Sequence, residues 1–295
     1  MKRIECVNKA KEILQSNNIP DWEQSIRIIT SISIGAYPNT SVFPDELTDS
    51  QVKTFYKLIH MRSRHVPIDK IIGYTEFFDL VFPFNKNVLT PRQETEILVE
   101  GVVKDIKVLE KRADVSLPVT VLDLCSGSGC IGLAIAHSTG ANVTLSDLSK
   151  KAIKIAQHNN DVNNAKRAEN MLPPVNVNYI VSDMFNNINY KYNIIISNPP
   201  YIARHDLNML EIEVRDFDPI LALDGGKDGL DFYRQIAKEA HKHLEENGLL
   251  YLELGIEQSD KVVKLLEKNF TDIVVIDDYN HVQRFIKARK KSNVK

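Results

Sequence analysis

Between residues 119 and 287, short runs rich in Val, Ile and Leu take turns with segments of helical periodicity. Few architectures accept that order. Strands are predicted at 119–124, 142–145, 175–181, 192–197, 248–254, 273–276 and 282–287, and helices at 130–137, 149–160, 231–244 and 260–269. Parallel neighbours need a crossover at each connection, so the pattern implies an α/β fold with a Rossmann-like, mostly parallel, seven-stranded sheet covered on both faces. Such sheets hold ligands at the carboxyl ends of their strands. The residues that follow each strand are therefore where chemistry should be sought.

The first part of the chain reads differently. Val7, Ala10, Ile13 and Leu14 fall at helical spacing, Asp21 can cap a helix carrying Ile26, Ile28 and Ile29, and Thr48 or Asp49 can start a third with Val52, Phe55, Tyr56, Leu58 and Ile59. Residues 1–72 are predicted to form a helical bundle domain that docks a partner. Residues 73–90 mix aromatic and β-branched side chains between Gly, Pro and Asn, which predicts a connecting β-hairpin. Residues 91–295 then form the sheet domain.

After the first strand comes Asp123-Leu124-Cys125-Ser126-Gly127-Ser128-Gly129-Cys130. Glycines at a strand-to-helix turn let a ligand approach the main chain. The spacing is neither a dinucleotide fingerprint nor a P-loop. The second strand runs to Asp147, a carboxylate placed to accept from the two ribose hydroxyls of an adenosine cofactor, or simply to cap the next helix. Ser182-Asp183-Met184-Phe185 ends the third strand, offering Asp183 as an adenine acceptor and Met184 and Phe185 as an apolar wall. No cluster of residues demands a phosphate, which favours S-adenosylmethionine over NAD.

The fourth strand ends in Asn198-Pro199-Pro200-Tyr201. Two prolines fix φ and remove two donors, so the corner presents carbonyl acceptors, and Asn198 adds a side-chain carbonyl. Together Asn198, Pro199 and Pro200 can take both hydrogens of a planar NH2 group and aim its nitrogen at a sulfonium methyl, with the Tyr201 ring packed on the group. Asn198, Pro199 and Tyr201 are the predicted catalytic residues, and Asn198 also borders the cofactor. Alignment of this kind contributes up to roughly 7–11 kcal/mol to a transfer. No catalytic base is required, because the nitrogen becomes strongly acidic once methylated.

The glycine turn, Asp147 and Asn-Pro-Pro-Tyr together resemble S-adenosylmethionine-dependent methyltransferases that modify planar nitrogens. Thr90-Pro91-Arg92-Gln93-Glu94-Thr95-Glu96 narrows this: it resembles the Arg-Pro-Glu-Thr-Glu signature of the release factor glutamine methyltransferase family, with Gln93 in place of Pro. Residues 73–78 resemble the hairpin before that signature, and 213–230 the family's long segment after the fourth strand. The resemblance implies methylation of the side-chain amide nitrogen of glutamine in the Gly-Gly-Gln motif of peptide chain release factors. It implies that Cys125, Ser126, Gly127, Ser128, Gly129, Asp147, Asp183 and Met184 line the cofactor and that Asn198, Pro199, Pro200 and Tyr201 hold the glutamine. Cys125 stands where the family has its first glycine, so its backbone need not take a glycine-only conformation. Met184 stands where an aromatic is common, so weaker adenine packing is expected. Arg92, Glu94 and Glu96 fit either ligand contacts or ordinary ion pairs, and 224–226 reads as a turn.

Charge separates the readings. With 37 basic and 39 acidic side chains the net charge is -2, against the basic surface that an adenine-N6 methyltransferase of DNA or RNA, the alternative reading, needs. Basic residues gather only at 287–295, read as a frayed terminus. Three cysteines, Cys6, Cys125 and Cys130, match neither a disulfide framework nor a metal pattern. No apolar run reaches the roughly 18 residues of a membrane span, and no leader peptide is evident. A cytoplasmic, monomeric enzyme without a metal, a membrane or direct nucleic-acid contact is expected.

Overall fold

The computed structural model describes residues 1–292 except Asn39, Phe84 and Ala113. The described residues divide into two compact units: 1–75 with 211–217, and 76–210 with 218–292. The first unit differs from the predicted 1–72 domain, because it recruits a segment from far along the chain.

In the first unit, α1 (Arg3–Ser16), α2 (Trp22–Ser33), α3 (Asp49–Arg62) and α4 (Ile68–Ile72) bury Leu14, Ile29, Phe55, Ile59 and Ile71 against one another. Thr48 caps α3 through a capping box with Gln51. Asp21 precedes α2 but does not cap it. Its carboxylate instead accepts from Ser25 Oγ at 3.0 Å and from Arg62 at 2.5 Å. Arg62 is only 1% exposed. Its other donors reach Ser25 Oγ at 2.9 Å, the Val66 carbonyl at 3.1 Å, and Glu213 at 2.7 Å. Glu213 belongs to the recruited segment, and a buried guanidinium must be paired or it costs several kcal/mol.

The short strands β1 (Tyr74–Phe77) and β2 (Leu80–Pro83) lie where the chain passes to the second unit. Phe77 and Phe82 meet edge to face, with ring centroids 6.2 Å apart. The second unit contains α5 (Glu96–Leu109), β3 (Thr120–Leu124), α6 (Cys130–Ser138), β4 (Asn142–Asp147), α7 (Lys150–Glu169), β5 (Asn178–Val181) and β6 (Tyr192–Ser197). The recruited segment then carries α8 (Ile212–Arg215), and α9 (Asp231–Glu239), β7 (Leu244–Glu253), α10 (Ser259–Leu266), β8 (Phe270–Asp277) and β9 (Gln283–Lys290) follow. Among the described residues, seven strands form one sheet in the order β5-β4-β3-β6-β7-β9-β8. The first five run parallel, and β9 joins β7 and β8 antiparallel. Apolar clusters occupy both sides of this sheet, as its near-continuous Val, Ile and Leu runs require.

Boundaries moved where side chains compete for backbone groups. Helix α7 runs nine residues past the predicted end at Asn160, because its asparagines bind neighbouring chain rather than breaking the helix. Asn163 exchanges two bonds with the Val81 backbone, at 2.9 and 2.8 Å. Asn160 and Asn164 hold the Val175 carbonyl, and Asn164 also takes its N–H. Val175 is thus removed from the ladder, and β5 begins at Asn178 rather than 175. Helix α9 stops at Glu239, and β7 starts at Leu244, four residues before the prediction. The predicted frayed tail is corrected through residue 291, with its last residues, 293–295, outside the described ones. Lys287 pairs with Asp105 at 2.5 Å, and Lys290, in β9 and 6% exposed, donates to the Leu244 carbonyl at 2.9 Å. Lys291 donates to the Glu267 carbonyl at 2.5 Å.

Candidate active site

A cavity of about 1010 Å³, open mouth included, lies within the second unit where β3, β4 and β6 end. Strand β3 is flanked by β4 on one side and β6 on the other, and the chain's direction of winding reverses there. That is the point at which open parallel sheets leave a crevice.

On the β3–β4 side the turn after β3 passes through three left-handed residues, Cys125 (φ +61°), Gly127 (+54°) and Gly129 (+79°). Cys125 keeps the left-handed turn although a side chain occupies it: at φ +61° it lies in the small left-handed region open to residues other than glycine. The Ser126 N–H ties the turn to the Ser146 carbonyl at 3.0 Å. Cys125, Ser126, Gly127 and Ser128 line the cavity. Gly129 does not. It heads α6 and faces the core, where an added Cβ would sit 2.9 Å from that of Ala156. Burial, reinforced by nearby carboxylates, pushes the Cys125 thiol well above its usual range. It therefore stays protonated, and its Sγ contacts Met184 Sδ at 3.8 Å.

Asp147 lines the cavity at the end of β4 with both oxygens anchored. Oδ2 accepts the Gly127 N–H and Oδ1 the Ser149 N–H, each at 2.8 Å. Burial raises its pKa, and these two bonds oppose the rise. Helix α7 is capped by Ser149 instead. Asp183 and Met184 also line the cavity. Phe185 does not; its ring stacks on His243 with centroids 5.0 Å apart. The buried oxygens without a hydrogen-bond partner among the described residues include Ser126 Oγ, Ser146 Oγ, Thr90 Oγ1 and Asp123 Oδ1. The first three belong to cavity-lining residues. Asp123 stands behind the turn, fully buried, with Oδ2 held by the Gly132 N–H at 2.9 Å. Burial lifts its carboxyl to about 8.

On the β6 side, Asn198 and Pro200 line the cavity, but Pro199 is buried outside the lining and Tyr201 packs on the core beside it. Of the four residues predicted to hold the substrate, Asn198 and Pro200 stand at the cavity wall. Tyr201 is half-buried near Glu253, Arg284, Arg92 and Glu94, and burial pushes its phenol up to about 12. Its carbonyl accepts from Gln258 at 3.0 Å. The 224–226 segment is more than a turn. Ile202 bridges Asp224, and Gly225 lies so close beneath the corner that a Cβ would stand 2.7 Å from Tyr201 Cα. Only glycine fits there.

The signature segment makes ordinary contacts with specific consequences. Arg92 pairs with buried Asp218 at 3.1 Å and lines the cavity along with Pro219 and Leu221, just beyond Asp218. Glu96 accepts the Phe78 N–H at 2.9 Å, fixing the hairpin end. Glu94 places a charge near Tyr201 and Glu253. Thr95 donates to Glu253 Oε2 at 2.6 Å, and Asn198 stands near enough to the same carboxylate to favour its ionised form. Sequence reasoning missed Glu253, Thr95, Thr90 and Ser146. The signal for Glu253 was present: one acid inside the apolar run 249–254, a place where an unpaired charge is costly.

Comparison with known proteins adds independent support. Residues 105–217 match the methyltransferase small domain family. The chain is 36% identical to the release factor glutamine methyltransferase of Thermodesulfovibrio yellowstonii, covering 99% of this chain and 100% of that one. It is 35% identical to the protein of the same name from Clostridium acetobutylicum, over 98% of each. Among solved structures, the hMettl16 catalytic domain in complex with MAT2A 3'UTR hairpin 6 aligns with TM-score 0.53 at 14% identity, over 74% of this chain and 78% of that one. That likeness concerns the fold alone.

Proposed function

Because the chain belongs to the release factor glutamine methyltransferase family, we propose that it methylates the side-chain amide nitrogen of the glutamine in the Gly-Gly-Gln motif of peptide chain release factors, with S-adenosylmethionine as methyl donor. The observation that carries this reading is that Asn198 and Pro200 share one cavity with the glycine turn and Asp147.

The residues present fit the donor. Ser126, Ser146 and Thr90 bring buried, unpartnered hydroxyls to the cavity, and such groups cost stability unless a ligand or water completes them. Asp147 keeps free lone pairs for ribose hydroxyls beside its two backbone donors. Met184, Ile131 and Ala152 provide apolar wall for a purine. When bound, S-adenosylmethionine supplies a methyl group on a cationic sulfur. Asn198 accepts an N–H of the glutamine amide, which returns electron density to a nitrogen whose lone pair is otherwise delocalised. Pro200 stiffens the corner so that this geometry is set before the substrate arrives. The methylated nitrogen then releases its proton to solvent without a protein base.

In this role the protein works in the cytoplasm as a monomer. Its three cysteines are free thiols, and among the described residues no helix is long and apolar enough to cross a membrane. The relatives' names do not favour the adenine-N6 alternative. Incubating purified release factor with the protein and S-adenosylmethionine tests the proposal. Peptide mass spectrometry is expected to show one added CH2 on the Gly-Gly-Gln glutamine. An unmodified peptide, or a methyl on another residue, refutes it.

A further inference from the structure

The acceptor corner is held from behind by a carboxylate. Glu253 is the last residue of β7, and β6 pairs with β7 up to Ser197 beside Leu252. The register brings Glu253 next to Asn198. It is 3% exposed and fixed on three sides. Thr95 Oγ1 donates to Oε2 at 2.6 Å, the Tyr233 hydroxyl donates to its carbonyl at 2.9 Å, and its backbone pairs with Phe285 of β9. An ionised carboxylate accepts hydrogen bonds and donates none, so only the NH2 end of the Asn198 amide can face it.

We infer that Glu253 is a positioning residue: it takes the Asn198 NH2 group and thereby turns the Asn198 carbonyl oxygen into the cavity, toward the substrate amide. Thr95 extends the arrangement into the signature segment by holding the second carboxylate oxygen. This inference rests on the proposed function, since it assigns the oxygen that receives the glutamine. It also explains why a carboxylate is kept in an apolar strand, where desolvation is costly.

The group is poised to titrate. Burial lifts its pKa to about 7, opposed by Thr95, Arg284 and Asn198 and assisted by Glu94. Tyr201, Tyr233 and Cys130 face it as well. Protonation below about pH 7 converts one oxygen from acceptor to donor, which releases the constraint on the Asn198 amide.

The test is Glu253→Gln, alone and combined with Asn198→Asp. The new amide matches the carboxylate in shape but offers an N–H to Asn198, which flips that side chain and shows a donor to the substrate. Turnover of the single variant is expected to fall roughly 100-fold, the scale of losing one pre-oriented contact, with cofactor affinity and thermal midpoint little changed. In the double variant the carboxylate at 198 takes that N–H and still offers an oxygen to the cavity, so about a tenfold recovery is expected. Wild-type turnover should rise with pH through about 7, and the single variant should show no such step. Wild-type turnover in Glu253→Gln, or no recovery in the double variant, overturns the inference. A side-chain amide NMR titration of Asn198 decides it without substrate: a shift near pH 7 is expected in wild type and absent in Glu253→Gln. Should the wild type leave release factor unmodified, the proposed function falls, and the NMR titration still decides the positioning role.

Discussion

At the β3–β4 side of the cavity, Ser126 and Ser146 bury hydroxyl oxygens that no described residue satisfies, whereas at the β6 side Thr95 already satisfies the Glu253 carboxylate that stands beside Asn198. The first arrangement leaves polar groups for a ligand to satisfy, so it converts ligand contact into affinity. The second is finished before any substrate enters, so its energy appears as orientation of the reacting group. Affinity and turnover should therefore be separable by mutation.

The sharpest way to break this contrast is Asn198→Ala. Turnover is expected to fall roughly 10²–10³-fold, while cofactor affinity by calorimetry changes less than about threefold. A comparable loss of affinity would merge the two ends. Next in size, Asp147→Ala should weaken cofactor binding roughly 10- to 100-fold, the value of a hydrogen-bonded charge, with turnover at saturating cofactor mostly retained. Part of that loss comes from the freed Gly127 and Ser149 N–H groups.

The smallest effect concerns the wall behind the turn. Burial raises the Asp123 pKa from 3.8 to about 8, so the native state favours its neutral form. Its stabilising contribution is complete below about pH 4 and is lost as pH climbs to about 8. Asp123→Asn removes the ionisation and is expected to raise the thermal midpoint at pH 8 by about 3 °C or more, with little change at pH 5. Calorimetric melting at the two pH values checks it. An equal shift at both would mean that the carboxyl matters for packing rather than charge.

Most of the sheet and the glycine turn were legible because their signals are local: alternating apolar runs, left-handed turn residues, and a carboxylate at a strand end. Gly129 and Phe185 lie outside the cavity lining, because chain proximity to a site does not specify which way a residue faces. Gly129 turns to Ala156 and Phe185 to His243. Glu253 was missed for a complementary reason. Its role exists only because β7 lies beside β6, an adjacency created by a crossover and invisible in the surrounding sequence. The asparagines of α7 misled in a third way, since residues that usually end helices here bind distant backbone at Val81 and Val175.

Arg62 has a consequence for how the protein must be made. One of its two acidic partners, Glu213, follows it by a stretch of chain that includes β3, β4, β5 and β6. A fragment ending at residue 75 would leave that guanidinium short of a counter-charge in an apolar interior. During synthesis this second partner becomes available only after residues 211–217 have been made. No single cut of the chain separates the two units, because the first draws on 1–75 and 211–217 and the second on 76–210 and 218–292.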